Sequence, residues 1–492
     1  MKNIFALILI SGFFTMACNN KEPLPTDILH VNVSGEATQN SIILQSRLVK
    51  SDTVVTSLFE DVKGVPAYGY FQVSTDTLFL KSIRTTMLEA NSENDFTLKT
   101  KVNNLNPGTT YFYRILVGSD STDLRYGKTC YFNTLPPASD NSEISFIHSS
   151  CMNYEKYYNI GDSGVGERVP ELVSGEDWQQ GFIGFETIAS LDPLFWVANG
   201  DNVYYDHPYS LPAETRAELL AKWHRQFSMP RIRDLMCRIP SYWLKDDHDY
   251  RFNDADTTNI KFAEPSHEVG VATIKNVVPI TDPNDPEEPT YRTYRVNQLL
   301  QIWMMEGRDY RSPNNMPDTV GKTLWGKKQI TWLQKTLLES DAPFKIIISP
   351  TPLVGPDDAY KKDNHTNPGG FQYEQQQIFD WLVANDFQNK NLYFMCGDRH
   401  WQYHSRHPLG FEEFGSGALV DQNARTGRKP GDPKSTDPEG KIEQIFIQRE
   451  PTGGFVQVTV TPMPTPNITF EIKDELGKML HAVQYKSKTR SL

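Results

Sequence analysis

Leu194-Phe195-Trp196-Val197-Ala198-Asn199-Gly200-Asp201-Asn202-Val203-Tyr204 decides how the rest of the chain is read. An apolar run ending in Gly-Asp predicts a buried strand that hands a carboxylate to the edge of a sheet. In open α/β sheets ligands bind at that edge, beyond the carboxyl ends of the strands. Tyr204 lies three residues past Asp201, so one short loop brings a carboxylate and a phenol to one point. A Gly-Asp pair after a strand is also a common turn. The reading therefore rests on the company this stretch keeps.

Three more apolar β-runs end in metal-ligating residue types. Ile144-Ser145-Phe146-Ile147-His148 runs into Ser149-Ser150-Cys151, and Ile239-Pro240-Ser241-Tyr242-Trp243-Leu244 into Lys245-Asp246-Asp247-His248-Asp249. Asn391-Leu392-Tyr393-Phe394-Met395-Cys396 delivers Gly397-Asp398-Arg399-His400. Helices are predicted between strands, over 179–190, from Pro212 to about Phe227, over 328–339 on an amphipathic pattern, and over 373–385. Residues 345–349 read as a buried strand and 291–305 as β-rich, the latter ending at Glu306-Gly307-Arg308-Asp309-Tyr310-Arg311. The polar stretch 255–290 reads as exposed loop. Beyond Arg425 three short strands are expected, at 445–447, 455–460 and 468–472. This alternation predicts an α/β unit over 138–492, beginning at the Pro-rich boundary Thr134-Leu135-Pro136-Pro137-Ala138-Ser139-Asp140.

Residues 27–137 read as a small all-β domain, with alternating apolar positions at Tyr68-Tyr70-Gln72 and Tyr111-Tyr113-Ile115-Val117. Leu105-Asn106-Pro107-Gly108-Thr109-Thr110-Tyr111 resembles the tyrosine corner of fibronectin type III and immunoglobulin-like sandwiches. No chemistry is visible in this segment, and spacing or packing is its expected role.

The chain has 492 residues, a formal charge of -12 and 38% hydrophobic residues. That suffices for a large core, and the acidic balance with no Lys/Arg run argues against a nucleic-acid-binding patch. Lys2, the apolar run Ile4–Ile10 and Phe13-Phe14-Thr15-Met16-Ala17-Cys18 read as an export signal over 1–17. Ala17-Cys18 resembles the cleavage and lipidation site of a bacterial lipoprotein, with 18–26 as a lipidated linker. That resemblance implies a body tethered at Cys18 to the bacterial cell envelope, in the periplasm or on the outer-membrane surface. The scattered spacing of Cys130, Cys151, Cys237 and Cys396 specifies no framework of bridges, and buried free thiols are the default.

As a set, the four strand ends resemble the calcineurin-like metallophosphoesterases, whose motifs are Asp-x-His, Gly-Asp-x-x-(Asp/Tyr), Gly-Asn-His-(Asp/Glu) and Gly-His-x-His. Gly200-Asp201-Asn202-Val203-Tyr204 is similar to the second motif in its tyrosine form. Asp247-His248-Asp249 resembles the third with Asp for Asn, and Gly397-Asp398-Arg399-His400 the fourth with Asp for its first His. Cys151 stands where the first motif's Asp would be. These departures resemble those of the PhoD-like (alkaline phosphatase D) branch, which also carries an N-terminal β-sandwich.

The resemblance implies a metallophosphoesterase sandwich of mixed sheets flanked by helices. It also implies hydrolysis of phosphate esters by a metal-activated water. Asp247 and Asp398 supply oxygen ligands suited to a hard cation, while Cys151, Tyr204 and His400 face another metal, with Asp201 between them. The implied pair is Fe3+ with Ca2+, and Zn2+, Mn2+ or Mg2+ remain alternatives. His248 takes the position beside the leaving group, with Asp249 expected to orient its imidazole. Arg399, Arg308 and Arg311 are candidates for phosphate contact. A phospholipase D-like diesterase and a catalytically silent surface binding protein are the other readings.

Overall fold

The computed structural model describes residues 29–50, 60–162, 173–258, 265–462 and 464–488. The export signal, Cys18 and the 18–26 linker lie outside them. No helix among the described residues is long and apolar enough to cross a membrane.

Two large sheets face each other. A nine-stranded sheet runs in the order Met479–Lys486, Asn467–Asp474, Gly454–Thr461, Ile144–Ser149, Phe195–Asn199, Ser241–Leu244, Leu29–Gly35, Ile42–Val49, Thr97–Val102. A seven-stranded sheet runs Arg292–Arg295, Leu300–Met304, Phe344–Ser349, Leu392–Cys396, Glu412–Ser416, Gln402–Arg406, Glu443–Ile447. In Phe195–Asn199, alternate side chains point to opposite faces. Phe195 and Val197 join the core shared with Met304, Ile348 and Met395 of the opposing sheet. Trp196 and Ala198 pack on Phe185, Leu219 and Trp223 of the covering helices. Both faces are buried, so the run is continuously apolar instead of alternating.

Helix positions follow local chemistry. The helix expected from Pro212 begins at Arg216, because Thr215 and Glu218 form a capping box that fixes the first turn there. The expected 179–190 helix is two, Gly175–Gln180 and Ile183–Ser190. Within the supposed loop 255–290 lies a helix, His267–Val277, capped by Ser266 and burying Thr273, Ile274 and Val277. Strands Gln402–Arg406, Glu412–Ser416 and the edge strand Met479–Lys486 were also not anticipated.

The N-terminal segment is the expected all-β unit, two sheets packed on each other, and one of them is continuous with the nine-stranded sheet. Three of its strands extend the nine-stranded sheet, with Gly35 paired in parallel to Ser241. Ala67–Ser74 and Thr110–Gly118 lie at the centre of a separate six-stranded sheet. At the expected corner, the Asn106 N–H donates to the Tyr111 hydroxyl at 2.9 Å. Leu44, Phe71, Tyr113 and Phe132 belong to the same hydrophobic cluster as Phe146 and Phe195.

A disulfide joins Cys130 to Cys237 across 107 residues of sequence, correcting the expectation of free thiols at these positions. Wide separation gave no spacing signal. The fold supplies the proximity, by pairing the Tyr131 N–H with the Cys237 carbonyl at 2.9 Å. Cys151 and Cys396 are free and buried. Replacing Cys130 and Cys237 by Ser should lower folding stability by about 3–5 kcal/mol, read as a fall in Tm that reductant imposes equally on the wild type.

Candidate metal centre

Ile144–Ser149, Phe195–Asn199 and Ser241–Leu244 are parallel neighbours, so their carboxyl ends share one edge. Leu392–Cys396 brings its own end to the same place from the opposing sheet. Asn199 Nδ2 donates to the Ser349 carbonyl at 2.8 Å, tying the two sheets together there. The strand ends approach closely. A Cβ on Gly397 would stand 2.4 Å from the Asn199 carbonyl, and one on Gly200 2.8 Å from Asp246 Cβ. Immediately past them Cys151, Asp201 and Asp398 adopt φ of 57, 54 and 59°. Left-handed backbone in non-glycine residues costs on the order of 1 kcal/mol or more and concentrates at functional sites.

These turns aim side chains at one point. Asp201 Oδ2 lies 3.7 Å from Cys151 Sγ and accepts from the Tyr204 hydroxyl at 3.2 Å. The same hydroxyl is 3.2 Å from His400 Nε2 and accepts from Asn423 Nδ2 at 3.0 Å. Cys151, Asp201 and His400 present ligand atoms within 4.8 Å of one another, as do Asp201, Asp247 and His248. A third such group is Asp247, Asp254 and Asp363. Asp201 is common to the first two groups and Asp247 to the last two.

Asp254 and Asp363 escaped the sequence reading because each sits deep in a long loop, 10 and 14 residues past the ends of Ser241–Leu244 and Phe344–Ser349. Asp398 belongs to none of the three groups. It is bound by Arg399 and lies 3.9 Å from Lys361 Nζ, whose ammonium is 3.1 Å from Asp254.

The electrostatics are those of a site built for cations. Burial and the carboxylates of Asp247, Asp246 and Asp249 push Asp201 well above the usual range, against the pull of His248. Burial and then Asp201 likewise raise the Cys151 thiol and the Tyr204 phenol. Asp201 Oδ1, Asp246 Oδ2, Asp247 Oδ1 and Asp363 Oδ1 accept no hydrogen bond among the described residues. Buried carboxylate oxygens without donors are what metal ions satisfy. The donor set fits metal ions on both sides of Asp201: thiol, phenol and imidazole on one, carboxylates on the other.

His248 packs against Tyr204 with ring centroids 4.3 Å apart and planes tilted by 32°. Its Nδ1 meets Asp206 Oδ1 at 2.7 Å, so Asp206, not Asp249, orients the imidazole. Burial opposes a charged ring, but Asp206, Asp247 and Asp201 outweigh it and hold His248 well above its ordinary pKa. Asp249 turns away to accept from the Asn202 N–H at 3.0 Å and the Asp246 N–H at 2.7 Å. It staples two strand-end loops together, and its adjacency to His248 in sequence was misleading for that reason.

The three expected arginines each engage loop carboxylates or carbonyls, although Arg311 Nε and Arg399 Nε have no hydrogen-bond partner among the described residues. Arg308 Nε donates to Asp246 at 2.6 Å, with Asp247 and Asp363 each 3.6 Å from Nη2. Arg399 is bound by Asp357 and Asp398. Arg311 donates to the Asp363 and Ala255 carbonyls and lies over Phe371. Arg308 and Arg399 are wholly buried and Arg311 nearly so. They brace the acidic loops.

The two opposed sheets with helices outside, and strand ends converging on a shared carboxylate, define the metallophosphoesterase fold. The structure of PhoD superposes with a TM-score of 0.71 at 16% identity, covering 93% of this chain and 90% of that one. A purple acid phosphatase from yellow lupin (Lupinus luteus) seeds superposes at 0.58, with 13% identity and 93% and 74% coverage. Alkaline phosphatase D of Bacillus subtilis (strain 168) is 21% identical over 475 residues, 87% of this chain and 75% of that protein. Residues 169–459 match the PhoD-like phosphatase family, and 16–136 match the PhoD-like phosphatase N-terminal domain. The chain belongs to the PhoD-like phosphatase family, and a phosphate ester is its class of substrate.

Arg308→Met should cost about 3–5 kcal/mol of stability, because it leaves buried carboxylates unpaired. Thermal melting checks this. A substrate-binding arginine would instead raise KM and leave Tm unchanged.

Proposed function

We propose that this protein is a metal-dependent phosphoesterase held at the bacterial cell envelope by lipid at Cys18. One observation carries the metal dependence: Asp201 is shared between a thiol–phenol–imidazole group and a carboxylate group. Thiolate and phenolate donate strongly and favour Fe3+ on the side of Cys151, Tyr204 and His400. Asp247, with Asp398 across the cluster, favours Ca2+ on the other, and Zn2+, Mn2+ and Mg2+ compete less well for this mixed set. Bound metal ions supply Lewis acidity toward phosphoryl oxygens and make water acidic near neutral pH.

The chain's own residues do the rest. His248, charged and oriented by Asp206, donates its proton from Nε2 to the departing ester oxygen. Packing against Tyr204 fixes the ring plane. Asp249 holds the loops that carry Asp201 and Asp247 in register. Residues 27–137 act as a β scaffold for the catalytic unit, 138–492, which they brace through the shared sheet and the disulfide.

Four outcomes are expected. Elemental analysis of the purified protein should find a transition metal, and its removal by chelator should abolish ester hydrolysis. Iron-loaded protein should be coloured by phenolate-to-iron charge transfer, which Tyr204→Phe bleaches in the visible spectrum. His248→Ala should lower kcat by about 10²–10⁴-fold with metal content retained. Asp206→Asn should move the alkaline limb of the pH–rate profile to lower pH. Removing that carboxylate lowers the pKa of His248, so its protonated form disappears earlier as pH rises.

A further inference from the structure

The leaving group that His248 Nε2 protonates lies beside that ring, and the aromatic side chains there form a row. Tyr204 is 4.3 Å from His248, and His207 is 5.0 Å from Tyr204 and 5.6 Å from His248, centroid to centroid. Tyr209 comes next, its ring 4.5 Å from that of His207 and steeply inclined to it, at 70°. Burial changes abruptly along the row. Tyr204, His207 and His248 are buried, whereas Tyr209 is 58% exposed. A single imidazole therefore separates the proposed proton donor from an aromatic ring open to solvent.

Both neighbours of Tyr209 are held in place. A Cβ on Gly161 would stand 2.9 Å from Pro208 Cβ, so the turn at Gly161 and Asp162 lies directly against Pro208. On the other side Ser210 donates to Asp162 Oδ1 twice, from its N–H at 3.0 Å and from Oγ at 2.7 Å. The Pro208 carbonyl accepts from the Leu211 N–H at 2.9 Å and closes the turn that carries Tyr209.

The ring next to it is fixed as well. Asn153 Oδ1 accepts from the Lys156 N–H at 2.9 Å, which leaves Nδ2 to donate to His207 Nδ1 at 2.8 Å. Lys222 donates to the His207 carbonyl and is itself buried against Glu155 at 2.7 Å. The turn thus holds an aromatic face in water beside the active site. A ring already fixed gives up little freedom when a ligand covers it, and a planar ligand gains most from that cover.

We propose that Tyr209 is the wall of a leaving-group subsite, and that the enzyme favours phosphate esters of planar aromatic alcohols. The tyrosine ring stacks on the leaving group, while His207 sets its distance from His248. This rests on the phosphoesterase reading above. Tyr209 takes no part in making or breaking bonds, so it stabilises bound substrate and transition state alike and shows in KM instead of kcat.

The test uses metal-loaded full-length protein with benzyl and ethyl phosphates, each as monoester and as methyl diester. The two leaving alcohols are similar in reactivity and differ in the aromatic ring. Tyr209→Ala should raise KM for the benzyl esters about five- to tenfold, with kcat and metal content unchanged. The ethyl esters should keep their wild-type KM. Tyr209→Phe, which retains the ring and removes the hydroxyl, should match wild type on both. Benzylphosphonate and ethylphosphonate, which are not hydrolysed, report binding alone. In calorimetric titrations Tyr209→Ala should lose affinity for the benzyl compound and not for the ethyl one. Equal losses on benzyl and ethyl compounds would overturn the subsite. So would a fall in kcat or in metal content, which would make Tyr209 a support of His207. A Tyr209→Phe variant as impaired as Tyr209→Ala would overturn it too, by placing the effect in the hydroxyl. A wild type that cleaves none of the esters would refute the phosphoesterase reading instead, and the phosphonate titrations would then decide the subsite by themselves.

Discussion

Burying several carboxylates at one point is the constraint on which the structure depends. Asp201, Asp246, Asp247, Asp249, Asp363 and Asp398 are all buried around the meeting point of two sheets. Arg308 and Lys361 offset part of that charge, and loop N–H groups offset more at Asp249 and Asp247. Oxygens that accept no hydrogen bond remain on both sides of Asp201. A desolvated carboxylate of this kind costs several kcal/mol unless a cation meets it. The centre therefore has the donor set of a candidate metal site.

The scaffold around it is arranged to resist relaxation. Lys245, at the end of one sheet's strand, is fully buried against Glu306 at 2.6 Å and Asp309 at 2.8 Å beyond the other sheet. Arg292 reaches from the second sheet to Glu36 at the end of an N-terminal strand. With the Cys130–Cys237 bridge, these links make the N-terminal strands part of the frame that fixes the sheet edge. Rigid strand ends let Cys151, Asp201 and Asp398 hold left-handed backbone that an isolated loop would relax.

Much of this was legible from local pattern. Strands buried on both faces announce themselves as apolar runs, and their carboxyl ends carry Cys151, Asp201, Asp247 and His400. The amphipathic helix Lys327–Glu339 and the buried strand Phe344–Ser349 fell close to where periodicity put them. The His267–Val277 helix did not, because polar and β-branched residues dilute its pattern and only packing against the body stabilises it. Arg308 and Arg399 carry no sequence mark distinguishing a brace from a substrate ligand. Both are defined by which carboxylate lies opposite, a matter of long-range contact.

The sequence by itself determined the fold class and the residue types brought to the sheet edge, since burial pattern and strand-end chemistry are local properties. Only the tertiary structure decided which groups meet. It set Asp206 and not Asp249 against His248, added Asp254 and Asp363 to the carboxylates, and paired Cys130 with Cys237. The reason is geometric. Partners more than a few residues apart are chosen by how strands cross and loops turn, so the aspartate next to His248 in sequence bonds elsewhere while one 42 residues earlier meets it.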